Sequence, residues 1–183
     1  MTDTPIGERA HVDADIEITL GRIHQLFNTF DPAPFHERDL DEDAEAYIVD
    51  SVDEFPLQKR LRLIIHLPAE QISGNTDLPQ AVHNYFAYRL HESQRRLKLF
   101  FRNGRIALFV GLGFLIACIV LREFVFAFGR GAIAEIASES LLILGWVAMW
   151  RPLEIFLYDW WPMRHRSRLF AKLSNIPVIV RPA

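Results

Sequence analysis

The sequence predicts an α+β membrane protein: a two-helix transmembrane hairpin carrying a small cytoplasmic α/β domain of two to three strands and two to three helices. Three observations predict it. Two apolar stretches, residues 106–121 and 132–150, approach the thickness of a bilayer when helical. Short runs of alternating apolar and polar residues have the period of half-buried strands. Charge is also divided along the chain: residues 1–70 carry 16 acidic and 6 basic groups, net −10, and residues 71–183 carry 7 acidic and 14 basic, net +7. The formal charge of −3 averages two unlike halves. With 50% hydrophobic residues, 12% aromatic and one cysteine, the composition excludes a disordered polymer and a disulfide-built secreted domain.

Residues 1–12 are polar and acidic, and are expected to be disordered. Residues 13–98 are expected to form the cytoplasmic domain and a helical stalk. Within them DIEITL, residues 15–20, places Ile16, Ile18 and Leu20 on one strand face. Two prolines in DPAPFHERDL forbid regular structure, and Asp39 with Glu42 fits a capping box for a helix beginning near Leu40. Leu40, Ala44, Tyr47, Ile48, Val52 and Phe55 recur at helical spacing until Pro56. LRLIIHL, residues 61–67, puts Leu61, Leu63, Ile65 and Leu67 on one strand face. A long helix is expected from about Leu78, running without a breaker into the first span.

That span is placed at 99–121. Its charge-free part, residues 106–121, covers only about 24 Å, so Arg102 and Arg105 would snorkel to the headgroups. An external loop, 122–131, leads to the second span at 132–150, which contains Glu135 and Glu139. A window at 141–158 avoids both carboxyls but takes in Arg151, Pro152 and Glu154. Arg89, Arg95, Arg96, Lys98, Arg102 and Arg105 precede the first span, and Arg151, Arg164, Arg166, Arg168 and Lys172 follow the second. The loop holds only Arg122 and Arg130, so the positive-inside rule puts both termini in the cytoplasm. Residues 151–162 form an aromatic interfacial segment. Residues 163–183 provide a basic helix and a short strand, IPVIV at 176–180, expected to join the N-terminal strands in one sheet.

Chemistry is sparse. Asp39, Asp41, Asp43 and Asp50 imitate a calcium loop, but Ala44 and Asp50 stand where glycine and a long bidentate glutamate belong. Capping is the better reading of these acids. His36, His66, His83 and His91 lack the spacing that sets two ligands on one helix face, and Cys118 lies in an apolar span. No metal, cofactor or catalytic residue is therefore expected, and no nucleic-acid motif accompanies the basic residues. The candidate functional residues are Glu135 and Glu139, because a carboxyl within a span is either protonated and hydrogen-bonded or lines a wet path. Arg151, Glu154, Tyr158, Trp160 and Trp161 are candidates for interface or membrane docking, with Arg151 and Glu154 spaced to pair. Ala107 with Gly111, and Gly113 with Ala117, are small-xxx-small pairs suited to close helix packing.

Two phrases, LFNTFDPAPFHERDLDEDAEAYIVDS at 26–51 and LGWVAMWRPLEIFLYDWWP at 144–162, resemble bacterial two-span inner-membrane proteins of unknown function. The resemblance implies a bacterial inner membrane and transfers no catalytic residue. The expected role is a non-catalytic scaffold or accessory subunit, with the lipid bilayer and a homo-oligomer or membrane-protein partner as its contacts. The alternatives are an oligomeric ion or proton pathway through Glu135 and Glu139, and, with least support, a hydrolase or metal enzyme around Asp31, His36 and Asp39.

Overall fold

The computed structural model describes residues 14–32, 34, 38–72, 77–129 and 131–183. The expected disordered segment, 1–12, lies outside them, as does His36. The chain is mostly helical, with two long apolar helices and a small three-stranded sheet. It divides into two compact units, Met1–Glu92 with Arg166–Ala183, and Ser93–His165.

The first unit holds the sheet. Its strands are β1 (Ala14–Thr19), β2 (Leu61–Leu67) and β3 (Val178–Pro182), in the order β1-β2-β3 and parallel throughout. Ile16 and Ile18 pair with Leu63 and Ile65, and on the other side Leu63 and Ile65 pair with Val178 and Val180. The C-terminal strand therefore closes the sheet. Parallel neighbours cannot be joined by a tight turn and need a crossover. The first crossover is α1 (Glu42–Asp53). The second starts with the one-turn α2 (Ala69–Ile72) and α3 (Leu78–Phe128), and returns through α5 (Trp160–Leu173). In sequence, the whole second unit is inserted into this crossover.

The central strand has two unlike faces, as its period of two requires. Leu61, Leu63, Ile65 and Leu67 point into a core completed by Leu26, Ile48, Val52, Val82, Phe86 and Leu173. On the opposite face Ile64 is buried, flanked by Arg62 and His66 on the same strand. Arg62 donates to both carboxylate oxygens of Asp15, at 2.9 and 2.6 Å, and His66 lies 3.6 Å from Glu17.

The start of α1 differs from expectation. Leu40 is buried and forms an isolated antiparallel bridge with Phe27, which holds the chain extended through that residue. The cap therefore falls to Asp41, whose side chain accepts from the amide of Asp43 at 3.0 Å. Tyr47, expected on the core face, is exposed, and its hydroxyl donates to the Glu17 carbonyl at 3.1 Å.

In the second unit α3 runs past the last residue of the apolar stretch to Phe128, because residues 122–128 contain neither glycine nor proline. Most of the expected loop is thus helix. The chain reverses at Gly129 and Gly131, the latter at φ 130°, a conformation cheap only for glycine. Next, α4 (Ala132–Glu154) continues through Pro152 into a π turn, Ile155–Asp159, and on into α5. The π turn lies between Pro152 and Pro162, each of which removes an amide donor and crowds the carbonyl four residues earlier.

Candidate functional site

The second unit is an antiparallel helical hairpin whose seam is built from small residues. Along α3, Gly104, Gly111 and Cys118 are buried at intervals of seven, and along α4 Ser138, Gly145 and Pro152 repeat the same interval. Seven residues are two turns of a slightly underwound helix, so each set stays on one line facing the other helix. The fit leaves no room for a side chain. A Cβ added at Gly111 would stand 3.1 Å from the Ala148 carbonyl oxygen, and one at Gly145 would stand 2.7 Å from Leu115 Cδ1 and 3.3 Å from Cys118 Cβ. At Gly104 it would meet Ile155 Cγ2 at 2.7 Å.

Of the four small residues singled out in the sequence, Gly111 lies in this seam and Ala107 is half-buried beside it. Gly113 and Ala117 are exposed, and nothing lies within 4 Å of a Cβ placed at Gly113. The seam itself is revealed by the i+7 repeat of Gly104, Gly111 and Cys118 against Ser138, Gly145 and Pro152.

Away from the seam the hairpin exposes many large apolar side chains. Phe109, Val110, Phe114, Ile116, Ile143, Trp146 and Val147 all point outward. Only 17% of the most apolar stretch of the first helix and 11% of the second is buried, the opposite of a core helix in a globular protein. Both helices are long and apolar enough to cross a membrane.

Glu135 and Glu139 lie one turn apart on the exposed surface of α4, and neither carboxylate has a hydrogen bond or ion pair among the described residues. The neighbouring hydroxyls are committed to their own helix: Ser138 Oγ donates to the Glu135 carbonyl and Ser140 Oγ to that of Ile136, each at 2.8 Å. The seam fixes the level of these carboxyls. Gly111 faces residues 148–152, Gly145 faces 115–118, and Gly129 faces Ala134, so Glu139 stands level with Arg122 and Glu123. Arg122 and Glu123 approach to 3.5 Å. One polar layer therefore crosses both helices.

The aromatic segment is also organised. Arg151 lies 3.2 Å from Glu154 and 3.2 Å from Asp159, and Trp150 Nε1 donates to the same Glu154 at 2.8 Å. Trp160 Nε1 donates to the Phe156 carbonyl at 2.9 Å and its ring lies against Phe101 and Trp161. Tyr158 and Trp161 remain exposed.

In the first unit, a network absent from the sequence reading surrounds Glu45. This carboxylate is 7% exposed, accepts from the Tyr85 hydroxyl at 2.5 Å, and receives Arg89 Nε and a terminal guanidinium nitrogen at 3.1 and 2.8 Å. Arg89 also holds Glu92 at 2.8 Å and stacks over Phe170. Burial, then the hydrogen bond and charge of Glu45, push Tyr85 well above the ordinary tyrosine range, so it stays a neutral donor. Burial works against the charge of Arg89, but Glu45 outweighs it and holds the guanidinium protonated. These groups line a polar cavity of about 350 Å³ with Asn28, Asp39 and Arg166. Asp39 is raised by burial and by the charge of Asp31, whose carboxylate accepts from the Asp39 amide at 2.7 Å. Within the cavity Glu45, Tyr85 and Arg89 satisfy one another. Among the described residues no three of His, Cys, Asp and Glu gather to hold a metal ion.

Compared with known protein families, curated proteins and solved structures, the chain matches none.

Two outcomes test this geometry. Gly145→Leu is expected to wedge the seam open and raise the labelling rate of the buried Cys118, while Gly113→Leu, with nothing within 4 Å of its Cβ, leaves that rate unchanged. Maleimide labelling of the folded protein reads the difference, and equal rates in the two variants contradict the seam. For the Glu45 network, Arg89→Met is expected to lower stability by about 3 kcal/mol because it strands a buried carboxylate. Adding Glu45→Met then costs less than the two single losses summed, by at least about 1 kcal/mol in denaturant unfolding of the detergent-purified protein. Strict additivity would contradict the pairing.

Proposed function

We propose that the chain is an integral membrane protein of the bacterial inner membrane. Its helical hairpin crosses the bilayer twice, and its α/β domain and both termini lie in the cytoplasm. The observation that carries this reading is the hairpin's construction: small residues packed inward and large apolar side chains turned outward on every side. In water that surface would drive aggregation, whereas in lipid it needs no cover. The sheet supports two crossings over one. Because β2 precedes the hairpin and β3 follows it, their pairing requires an even number of crossings. The basic residues flanking both helices then favour the cytoplasmic side for the sheet.

The register supports a slab formed by residues 106–121 and 141–154, apolar except for Arg151 and Glu154 towards its inner edge, and closed outside by the polar layer of Arg122, Glu123 and Glu139. Its thickness of about 24 Å is met by modest bilayer thinning and snorkelling. On this reading Glu135 and Glu139 belong to the outer boundary, not to a path across the membrane.

The role that fits is a non-catalytic scaffold or accessory subunit: a rigidly seamed anchor with an outward face free for a membrane partner or a second copy. The rival is an oligomeric ion or proton pathway. It retains one favourable observation, the exposure of Glu135 and Glu139 one turn apart with no partner among the described residues. In proteoliposomes the wild type and the Glu135→Gln/Glu139→Gln variant are expected to show the same negligible proton and cation flux. A flux well above protein-free vesicles, abolished by the double substitution, would establish conduction instead.

A further inference from the structure

We infer that the hairpin carries a binding groove for one anionic phospholipid at its basic end. The inference rests on the membrane reading above and gives the anchor a defined lipid partner. Arg95, Lys98, Arg102 and Arg105 lie together with Phe101 and Phe156 around an open concavity of about 660 Å³. Their spacing of three, four and three residues aligns the cations in one stripe about 15 Å long on α3.

Three features separate this stripe from an ordinary solvated helix face. First, its four cations stand at i+3 and i+4 from one another, where like charges repel, and no acidic residue alternates with them. Second, all four are exposed and none has a carboxylate partner among the described residues. The nearby acids of α4 and the π turn, Glu154 and Asp159, do not line the groove and are held by Arg151. Third, the groove is amphipathic. Phe101 and Phe156 stack at 6.3 Å beside the basic stripe, at the boundary where the charge-free residues 106–121 begin.

Each feature matches a part of one molecule. A phosphodiester and any further headgroup anion suit guanidinium and ammonium donors, and an acyl chain suits the phenyl rings below them. A soluble phosphate would use the cations and leave the rings unexplained. A nucleic acid would need a basic surface continuing beyond the apolar boundary.

The test uses the full chain, first inserted into vesicles and then studied in lipid nanodiscs. Vesicles of neutral phosphatidylcholine and vesicles containing phosphatidylglycerol report insertion by alkaline extraction. Native mass spectrometry of delipidated protein titrated with each lipid reports binding. The wild type is expected to hold one phosphatidylglycerol about tenfold more tightly than phosphatidylcholine. Arg102→Gln/Arg105→Gln is expected to remove that preference while inserting normally. Arg168→Gln/Arg181→Gln, which removes equal charge elsewhere, is expected to retain it.

Equal binding of both lipids by the wild type, or equal loss in both double variants, overturns the groove. So does displacement of the lipid by millimolar glycerol phosphate, which would assign the cations to a soluble phosphate. Failure of the wild type to insert into either vesicle instead overturns the membrane reading on which the groove rests.

Discussion

The parallel pairing of β2 with β3 is the constraint on which the arrangement depends. Leu63 and Ile65 stand opposite Val178 and Val180 across more than a hundred residues of sequence, and everything between them must leave the sheet and come back. A parallel pair already demands a crossover. Here the crossover is lengthened by a helical hairpin whose surface has no aqueous partner. The sheet also gains from the closure. Two short strands would bury too little area to stand alone, whereas β2, flanked on both sides, buries Leu61, Leu63, Ile65 and Leu67 against the helices of its unit.

The hairpin solves a different problem. On the proposed membrane reading hydrocarbon surrounds both helices, apolarity gives them no reason to associate, and contact must come from shape. Gly104, Gly111 and Gly145 supply it by bringing backbone and short side chains into contact along the seam. This division explains why large residues cover the outside. Phe109, Phe114 and Trp146 have no place in a seam that a single methyl group would overfill, and they meet the surrounding solvent instead. It also explains why the polar layer sits where it does: Ser138 satisfies its own hydroxyl within the helix, while Arg122 and Glu123 share a level with Glu139.

The strands and the main helices were legible in the sequence because each has a strong period. LRLIIHL sets Leu61, Leu63, Ile65 and Leu67 on one face, and no breaker interrupts the helix from Leu78 to Leu121. The start of α1 was less legible because Asp39 and Asp41 are equally good caps. Only the tertiary bridge of Leu40 to Phe27 decides between them. Glu45 was hidden for a similar reason: it stands among Glu42, Asp43 and Asp41 and reads as one more solvated acid. Its distance of four residues from Val49 marks the buried side of the helix, but its partners Tyr85 and Arg89 come from another helix forty residues later. The seam repeats at seven residues and mixes Gly104, Gly111 and Cys118 with Ser138, Gly145 and Pro152, a spacing that four-residue pairs of small residues do not display. The level of Glu139 depends on pairing with α3, which no single-helix pattern contains.

Oxygen and nickel accessibility of spin labels on Phe114 and Val147 tests the proposed membrane embedding of the hairpin most directly, with Cys118→Ala as the background and the protein in lipid vesicles. Both residues are exposed and, by the seam register, stand level with each other near the middle of the apolar slab. An embedded hairpin gives high oxygen and minimal nickel accessibility at both sites, declining towards labels at Ile106 and Glu139. Water-like nickel accessibility at Phe114 and Val147 would contradict it.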